Sequence, residues 1–165
     1  MFSVGEYVIY GYEGVCKVEE VGHPALSGLD RKREYYRLTP YYRGGTIYAP
    51  VDGRIAMRPV IAKKELESFI PTLPKLPVLE DVPSDGKLAA AYYRDILSAH
   101  NCRELLRLCK TLYAKQTALA KNRKSVNATD LRNWKTAEDM VYGEFGFVLG
   151  MPPTDVKTFL IRALA

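Results

Sequence analysis

Apolar and polar residues change their spacing near the middle of the chain. In the first half, short runs alternate with a period of two, and turns containing glycine or proline separate them. This pattern predicts five short strands, at residues 7–10, 15–21, 34–39, 46–50 and 57–61. Strands of this length and spacing are typical of a small five-stranded β-barrel of the SH3 or Tudor type.

The second half has the 3.6-residue period of amphipathic helices. Ser84 is the expected N-cap of the first long helix, and Asn101 followed by Glu104 predicts the start of the next. A third helix is expected to bury Leu131 and Trp134, and a fourth follows Gly150. A short helix at residues 62–69 is expected to close the barrel.

Four prolines between residues 71 and 83 interrupt both periodicities and predict a semi-rigid spacer. The predicted organisation is therefore an N-terminal domain at 1–72, a proline-rich linker at 73–83 and a helical domain at 84–165. The fold class is α+β, with a five-stranded SH3/Tudor-like module followed by four to five helices.

One predicted strand, at residues 46–50, ends in Pro50. Proline cannot donate to a β-ladder, so it belongs at a strand end or on a sheet edge. Exposed edges are normally protected unless they pair with another protein. Residues 46–50 are thus a candidate edge strand for binding a partner.

Charge is unevenly distributed along the chain. The whole protein has a net charge of +5, whereas residues 87–135 hold 11 basic and three acidic residues, a net charge of +8. A basic cluster of this kind attracts polyanions and predicts salt-dependent contact with nucleic acid. Tyr92 and Tyr93 beside Arg94 also combine aromatic and cationic groups, which suits contact with a sugar–phosphate backbone or an unstacked base.

Candidate catalytic chemistry is sparse in the sequence. The three cysteines have no metal-ligand spacing, and His23 and His100 each stand alone. Cys16, Cys102 and Cys109 are expected to be reduced thiols in a cytoplasmic protein. The sequence predicts no enzyme, cofactor, metal site or membrane span.

Several motifs in order resemble the CarD/CdnL family of bacterial transcription regulators, whose N-terminal module also occurs in transcription-repair coupling factors. They are Phe2-x-Val4-Gly5-Glu6-x-Val8-Ile9-Tyr10, Gly14-Val15, Glu34-Tyr35-Tyr36-x-Leu38, Thr46-Ile47-x-Ala49-Pro50-Val51 and Met57-Arg58-Pro59-Val60-Ile61. The helical half matches more loosely, through Tyr93-Arg94, the basic second helix and a final Gly-x-Pro-x-x-x-Val-Lys pattern.

The resemblance implies that the N-terminal module adds an edge strand to the RNA polymerase β subunit, and that the helical module contacts upstream promoter DNA and modulates the open complex. The expected polymerase-binding residues are Arg43, Thr46, Ile47, Tyr48, Ala49 and Pro50. The expected DNA-binding residues are Lys87, Tyr92, Tyr93, Arg94, Arg103, Arg107, Lys121, Arg123 and Lys124. DNA recognition is expected to be largely independent of sequence, with no small-molecule substrate.

The chain departs from familiar relatives at two positions. Tyr48 stands where some relatives have a basic residue. A tryptophan that wedges into the minor groove in well-known relatives corresponds to about Ala89, which cannot wedge. Two other interpretations stay open from the sequence: an SH3-like module that binds RNA or the ribosome, and a protein-interaction adaptor whose positive charge serves only solubility.

Overall fold

A computed structural model describes residues 1–164, and they form two compact units. The division falls between Val60 and Ile61. The mixed α+β class is confirmed, with a five-stranded antiparallel sheet followed by five α-helices.

The first unit contains β1 (Tyr7–Tyr10), β2 (Gly14–Gly22), β3 (Tyr35–Pro40), β4 (Ile47–Pro50) and β5 (Met57–Pro59). A 3-10 turn at Gly11–Glu13 joins β1 to β2. The spatial order is β4-β3-β2-β1-β5, and every pairing is antiparallel. Among the described residues, β4 and β5 are therefore the two edges of the sheet.

Alternation along these strands produces the first core. Val8, Val18, Leu38 and Ala49 are fully buried on one face, together with Tyr36. Tyr35, which points to the other face, is also buried, and its hydroxyl accepts a hydrogen bond from the Asp30 backbone N–H at 3.2 Å. Adjacent residues of a strand face opposite sides of a sheet, so the sequence alone would place one of these two tyrosines on the surface. The loop before β3 instead covers Tyr35.

The second unit contains α1 (Lys63–Phe69), α2 (Gly86–Ala99), α3 (Cys102–Ala120), α4 (Ala128–Leu149) and α5 (Pro153–Leu164). A 3-10 segment at Ile70–Lys75 follows α1. The N-cap of α2 is Asp85 and not Ser84, because the Asp85 carboxylate accepts from the N–H groups of Lys87 and Leu88, each at 3.0 Å. Asn101 and Asn127 cap α3 and α4.

The proline-rich segment differs most from its prediction. Leu66 of α1 and Leu73, Leu76 and Leu79 of the following segment are all buried in the core of the helical unit. The structure divides the chain after Val60, whereas the predicted first domain ends at residue 72 and is followed by a spacer at 73–83. Leucines placed between the prolines anchor this segment to the helices, so it packs against them as an ordered part of that unit.

Candidate functional sites

The free edge of β4 is defined by its register against β3. The Val51 N–H donates to the Glu34 carbonyl at 2.9 Å, and the paired positions continue through Tyr36 with Ala49. In antiparallel pairs the backbone groups of successive residues point alternately toward and away from the partner strand. The backbones of Ile47 and Ala49 thus bond to β3, whereas those of Tyr48 and Pro50 point outward.

Few of the outward-pointing backbone groups of β4 can form hydrogen bonds with an incoming strand. Pro50 has no N–H, and its carbonyl accepts from the Gly53 N–H at 3.0 Å. Tyr48 therefore presents both an N–H and a C=O to an incoming strand. Thr46, exposed just before the strand, extends the same edge.

Side chains of β4 also alternate, which separates the predicted polymerase-binding residues into two groups. Ile47 packs against the core of the sheet, and Ala49 is fully buried within it. The Ala49 side chain is therefore inaccessible to a partner, and that of Ile47 is half-buried against the core. Tyr48 and Pro50 lie on the opposite face and are half-buried. The alternation of β-strands is the signal in the sequence that separates the two groups.

The Tyr48 side chain lines a cleft of about 110 Å³ on this outer face. Arg37 and Glu20 line it as well, and their side chains form an ion pair at 3.1 Å. His23 and Tyr35 complete one side. In strand addition, pockets beside the edge accept alternate side chains of the incoming strand. The cleft is positioned to receive such a side chain.

The β3–β4 loop carries the remaining predicted polymerase contact, Arg43. Its guanidinium forms an ion pair with Glu13 of the β1–β2 turn and is largely exposed. Tyr41 and Tyr42, just before it, are about half exposed, and their rings meet edge to face with centroids 4.9 Å apart. Exposed tyrosines next to arginine are typical of binding hot spots.

The opposite edge of the sheet, β5, repeats the pattern in a shorter strand. The Gly11 N–H donates to the Ala56 carbonyl at 3.0 Å, which turns the backbones of Met57 and Pro59 outward. Pro59 has no N–H, and its carbonyl accepts from the Arg58 guanidinium at 3.0 Å. Met57 is thus the structural counterpart of Tyr48 on the other edge.

Comparison with known proteins identifies the first unit. Residues 2–61 match the family model described as the CarD-like/TRCF RID domain. The N-terminal unit is a CarD-like domain. This result confirms the predicted family for the N-terminal unit, and domains of this type are RNA polymerase β-interacting modules. No curated protein matches the chain.

Basic side chains in the helical unit divide between two ends of α3. Arg103 lies in its first turn, whereas Lys121, Arg123 and Lys124 follow its last turn. At 1.5 Å per residue, Arg103 and Lys121 are separated by about 27 Å along the helix. All four side chains are exposed, as are those of Lys87 and Arg94 on α2. The predicted DNA-binding residues therefore do not form a single compact patch.

Residues 121–124 form the most concentrated positive surface, here called the basic loop. The Lys124 N–H donates to the Leu119 carbonyl at 2.9 Å, and Arg123 has φ of 57°. This left-handed conformation ends α3 sharply and is uncommon for arginine. The loop is thus held in a defined turn with three exposed cationic side chains.

Arg107 has a different role from the one predicted for it. Its guanidinium donates to the carbonyls of Pro77 and Val78, each at 3.1 Å, and pairs with Glu104 at 3.1 Å. Lys110 donates in the same way to the Leu76 carbonyl at 2.6 Å. These groups satisfy the carbonyls of the proline-rich segment, whose prolines supply no N–H groups of their own. Arg107 and Lys110 hold this segment against α3.

Tyr93 is also absent from the surface, because it is only 1% exposed in the helical core. Burial, followed by the nearby Asp130 and Tyr92, raises the pKa of its phenol. Tyr92 is half-buried and meets Tyr93 edge to face. A DNA contact by the Tyr93 side chain is inconsistent with this burial. Ala89, near which the sequence resemblance places the wedge tryptophan of relatives, is also buried.

A surface that the sequence interpretation assigned to the core lies where α3 and α4 meet. Leu131 is 55% exposed, and Trp134 is only half-buried. Tyr113 of α3 is 65% exposed and meets Trp134 edge to face with centroids 6.4 Å apart. The expected burial of Leu131 is wrong, because the neighbouring Asp130 is the residue that is buried and pairs with Lys115 of α3, which leaves Leu131 on the exposed side of α4. In the sequence, the basic residues Arg132 and Lys135 on either side of Trp134 indicate that this part of α4 is exposed.

The thiols and the buried acid in the molecule are structural. Burial raises the pKa of Cys16 to about 11, and burial also raises the pKa of Cys109. The buried Glu144 carboxylate accepts from the Ile61 N–H at 2.9 Å and from the Cys102 thiol at 3.1 Å. Within residues 1–164, no group of side chains is arranged to hold a metal ion, and no helix is long and apolar enough to cross a membrane.

Proposed function

We propose that this protein is a non-enzymatic, cytoplasmic transcription regulator that docks on the RNA polymerase β subunit and contacts upstream promoter DNA, thereby modulating the stability of the open complex. The observation that carries this proposal is the free β4 edge of a CarD-like domain, at which Tyr48 directs both backbone hydrogen-bonding groups outward.

Strand addition at β4 supplies the polymerase contact in this proposal. Main-chain hydrogen bonds at Tyr48 and Thr46 give affinity, and the cleft beside Tyr48 gives specificity for one side chain of the partner. Arg43, Tyr41 and Tyr42 extend the contact beyond the strand. Pro50 limits the register, because it offers the incoming strand no donor.

The helical unit supplies the DNA contact. The basic loop, together with Lys87, Arg94 and Arg103, provides exposed charge for phosphate groups. Phosphate contacts carry no sequence information by themselves, which agrees with a regulator that serves many promoters. The concentration of positive charge in residues 87–135, net +8, supports this assignment.

The test is binding of the purified protein to the RNA polymerase β subunit, with Tyr48→Pro as the variant and Met57→Pro as the matched control. Both substitutions remove one outward N–H from an edge strand without removing a hydrogen bond from the internal ladder. A lost backbone hydrogen bond that leaves its partner unsatisfied costs about 1–3 kcal/mol, which corresponds to roughly fivefold to 150-fold in affinity.

The proposal expects Tyr48→Pro to weaken β-subunit binding by about fivefold or more, and Met57→Pro to leave it within about twofold. Equal affinity of both variants and the parent would move the interface away from β4. No binding by the folded parent would overturn the polymerase partner altogether. Circular dichroism of each variant confirms that the sheet is intact.

A further inference from the structure

We infer that the exposed surface at the α3–α4 junction is a binding site for unpaired bases of single-stranded DNA. This surface consists of Tyr113, Leu131 and Trp134, and is here called the aromatic corner. The inference deepens the proposed function and rests on it, since it specifies which DNA structure the helical unit recognises.

The geometry of the two rings favours a flat ligand. Tyr113 and Trp134 meet at an interplanar angle of 80°, so the face of one ring and the edge of the other bound a right-angled recess. A base stacked on the face of either ring is contacted by the other ring as well. Each nucleic-acid base has a π-face, so stacking of this kind does not depend on sequence.

Exposure distinguishes Tyr113 from the other aromatic residues described in the helical unit. Tyr113 is 65% exposed, whereas Trp134 is half-buried and Tyr93 and Phe145 are almost completely buried. Trp134 also packs against the helical core, which holds its ring in place. A pre-positioned ring loses little conformational entropy when a base stacks on it.

The aromatic corner lies beside positively charged side chains. Arg132 and Lys135 flank Trp134 with exposed side chains, and the basic loop begins at Lys121. Lys121 lies about 12 Å from Tyr113 along α3. A stacked strand advances about 3.4 Å per nucleotide, so three to four nucleotides bridge the two groups.

The helix surface between Tyr113 and the basic loop carries small exposed side chains. Ala114, Thr117, Ala118 and Ala120 leave a shallow path along which a sugar–phosphate backbone can approach the helix. Asp130, the acidic residue closest in sequence, is buried and paired with Lys115 at 2.7 Å, so its charge is compensated.

Duplex DNA does not account for this surface. Bases in a duplex are stacked on each other, and their faces are unavailable to side chains. A partner protein would bury the apolar residues and would pair with the cationic groups only through acidic side chains of its own, so it is the competing occupant that the titrations distinguish. Unpaired DNA uses both, because its bases stack and its phosphates pair with the lysine and arginine side chains.

Trp134 is the only tryptophan of the chain, so its fluorescence reports on this site directly. The full-length protein is titrated with a 15-nucleotide oligothymidylate, a matched duplex and a 15-nucleotide oligouridylate at low salt. Tryptophan fluorescence and the anisotropy of a labelled oligonucleotide are both recorded. The variants are Tyr113→Ala, Tyr113→Phe and, as a matched control, Tyr12→Ala, which removes a tyrosine of the CarD-like domain that is 59% exposed.

We expect the thymidylate strand to quench Trp134 fluorescence, and Tyr113→Ala to weaken its binding roughly tenfold, in line with the contribution of one base-stacking contact. Tyr113→Phe and Tyr12→Ala should bind like the parent, and duplex affinity should change less than twofold in every variant. Equal weakening of single-strand and duplex binding would reduce the aromatic corner to a general electrostatic surface and overturn the inference.

Three further results would overturn it. Unchanged thymidylate affinity in a folded Tyr113→Ala variant, or no thymidylate binding by the parent, would leave the aromatic corner to a protein partner. Oligouridylate bound more than tenfold tighter than oligothymidylate would assign the site to RNA. Neither assay includes polymerase, so failure here is distinct from failure of the proposed β-subunit docking.

Discussion

The CarD-like domain and the helical unit present their partners with different kinds of chemical groups. At β4 the exposed groups are main-chain N–H and C=O of Tyr48, and the neighbouring ion pair between Arg37 and Glu20 is internally neutral. In the basic loop the exposed groups are the cationic side chains of Lys121, Arg123 and Lys124.

This difference has a physical consequence for binding. Main-chain hydrogen bonds tolerate most side-chain substitutions and depend weakly on salt, whereas phosphate contacts depend on each charge and on counterion release. The comparison predicts that the two binding events respond to separate perturbations.

The largest effect tests the division of the chain into two units. Leu73→Ala should lower the free energy of unfolding of the helical unit by about 2–5 kcal/mol, because Leu73 is fully buried in its core. Denaturation followed by Trp134 fluorescence measures this change. If Leu73 served only as part of a spacer, the substitution would cost well under 1 kcal/mol.

Charge reversal in the basic loop tests whether the DNA interface is separate from the polymerase interface. The triple variant Lys121→Glu, Arg123→Glu and Lys124→Glu should weaken duplex DNA binding about a hundredfold at low salt. It should also reduce the slope of log K against log[salt] by about two to three. Anisotropy titrations over several salt concentrations measure both. Binding to the polymerase β subunit should be unchanged, and parallel loss of both activities would contradict separate interfaces.

Arg107 and Arg103 form a matched pair one helical turn apart. Arg107→Ala should lower stability by about 2 kcal/mol, because it removes charged hydrogen bonds to the carbonyls of Pro77 and Val78. Its DNA affinity should remain close to that of the parent. Arg103→Ala, at an exposed position, should do the reverse. Thermal denaturation and DNA titration of both variants distinguish the two roles.

The smallest effect concerns the buried Cys16 thiol. Its pKa is raised from 9.0 to about 11 in the folded sheet, so the folded state favours the neutral thiol. This stabilisation is complete below pH 9 and is lost as the pH rises toward 11. Cys16→Val, which cannot ionise, should lose less stability over this pH window than the parent, and denaturant titrations at several pH values measure the difference. Identical pH dependence of the two proteins would exclude an ionisation linked to burial of Cys16.

The sheet could be predicted closely from the sequence because its signals are local. Period-two alternation and the position of Pro50 identify both the strands and the β4 edge, and the structure has β4 at residues 47–50. The adjacent residues Tyr35 and Tyr36 show the limit of this reasoning. Tyr35 lies on the outer face but is buried by a loop, and the path of that loop cannot be predicted from the alternation of the strand.

The helical surfaces could be predicted less well because they depend on packing between distant segments. Arg107 has the same local sequence signal as Arg103, and only the position of the proline-rich segment decides that one is a clamp and the other is exposed. Trp134 has the period of a core residue, yet it is only half-buried beside the exposed Tyr113. Composition and periodicity alone do not specify how much of α4 its neighbour covers.

The central claim is that one chain bridges polymerase and promoter DNA through two chemically separate surfaces. The most direct test is the lifetime of an open complex formed by RNA polymerase on a promoter, with the parent, Tyr48→Pro, the basic-loop triple variant and Met57→Pro. The account predicts that the parent and Met57→Pro change the lifetime to the same extent, and that either of the other two variants abolishes the change. A full effect from Tyr48→Pro or from the triple variant would contradict it.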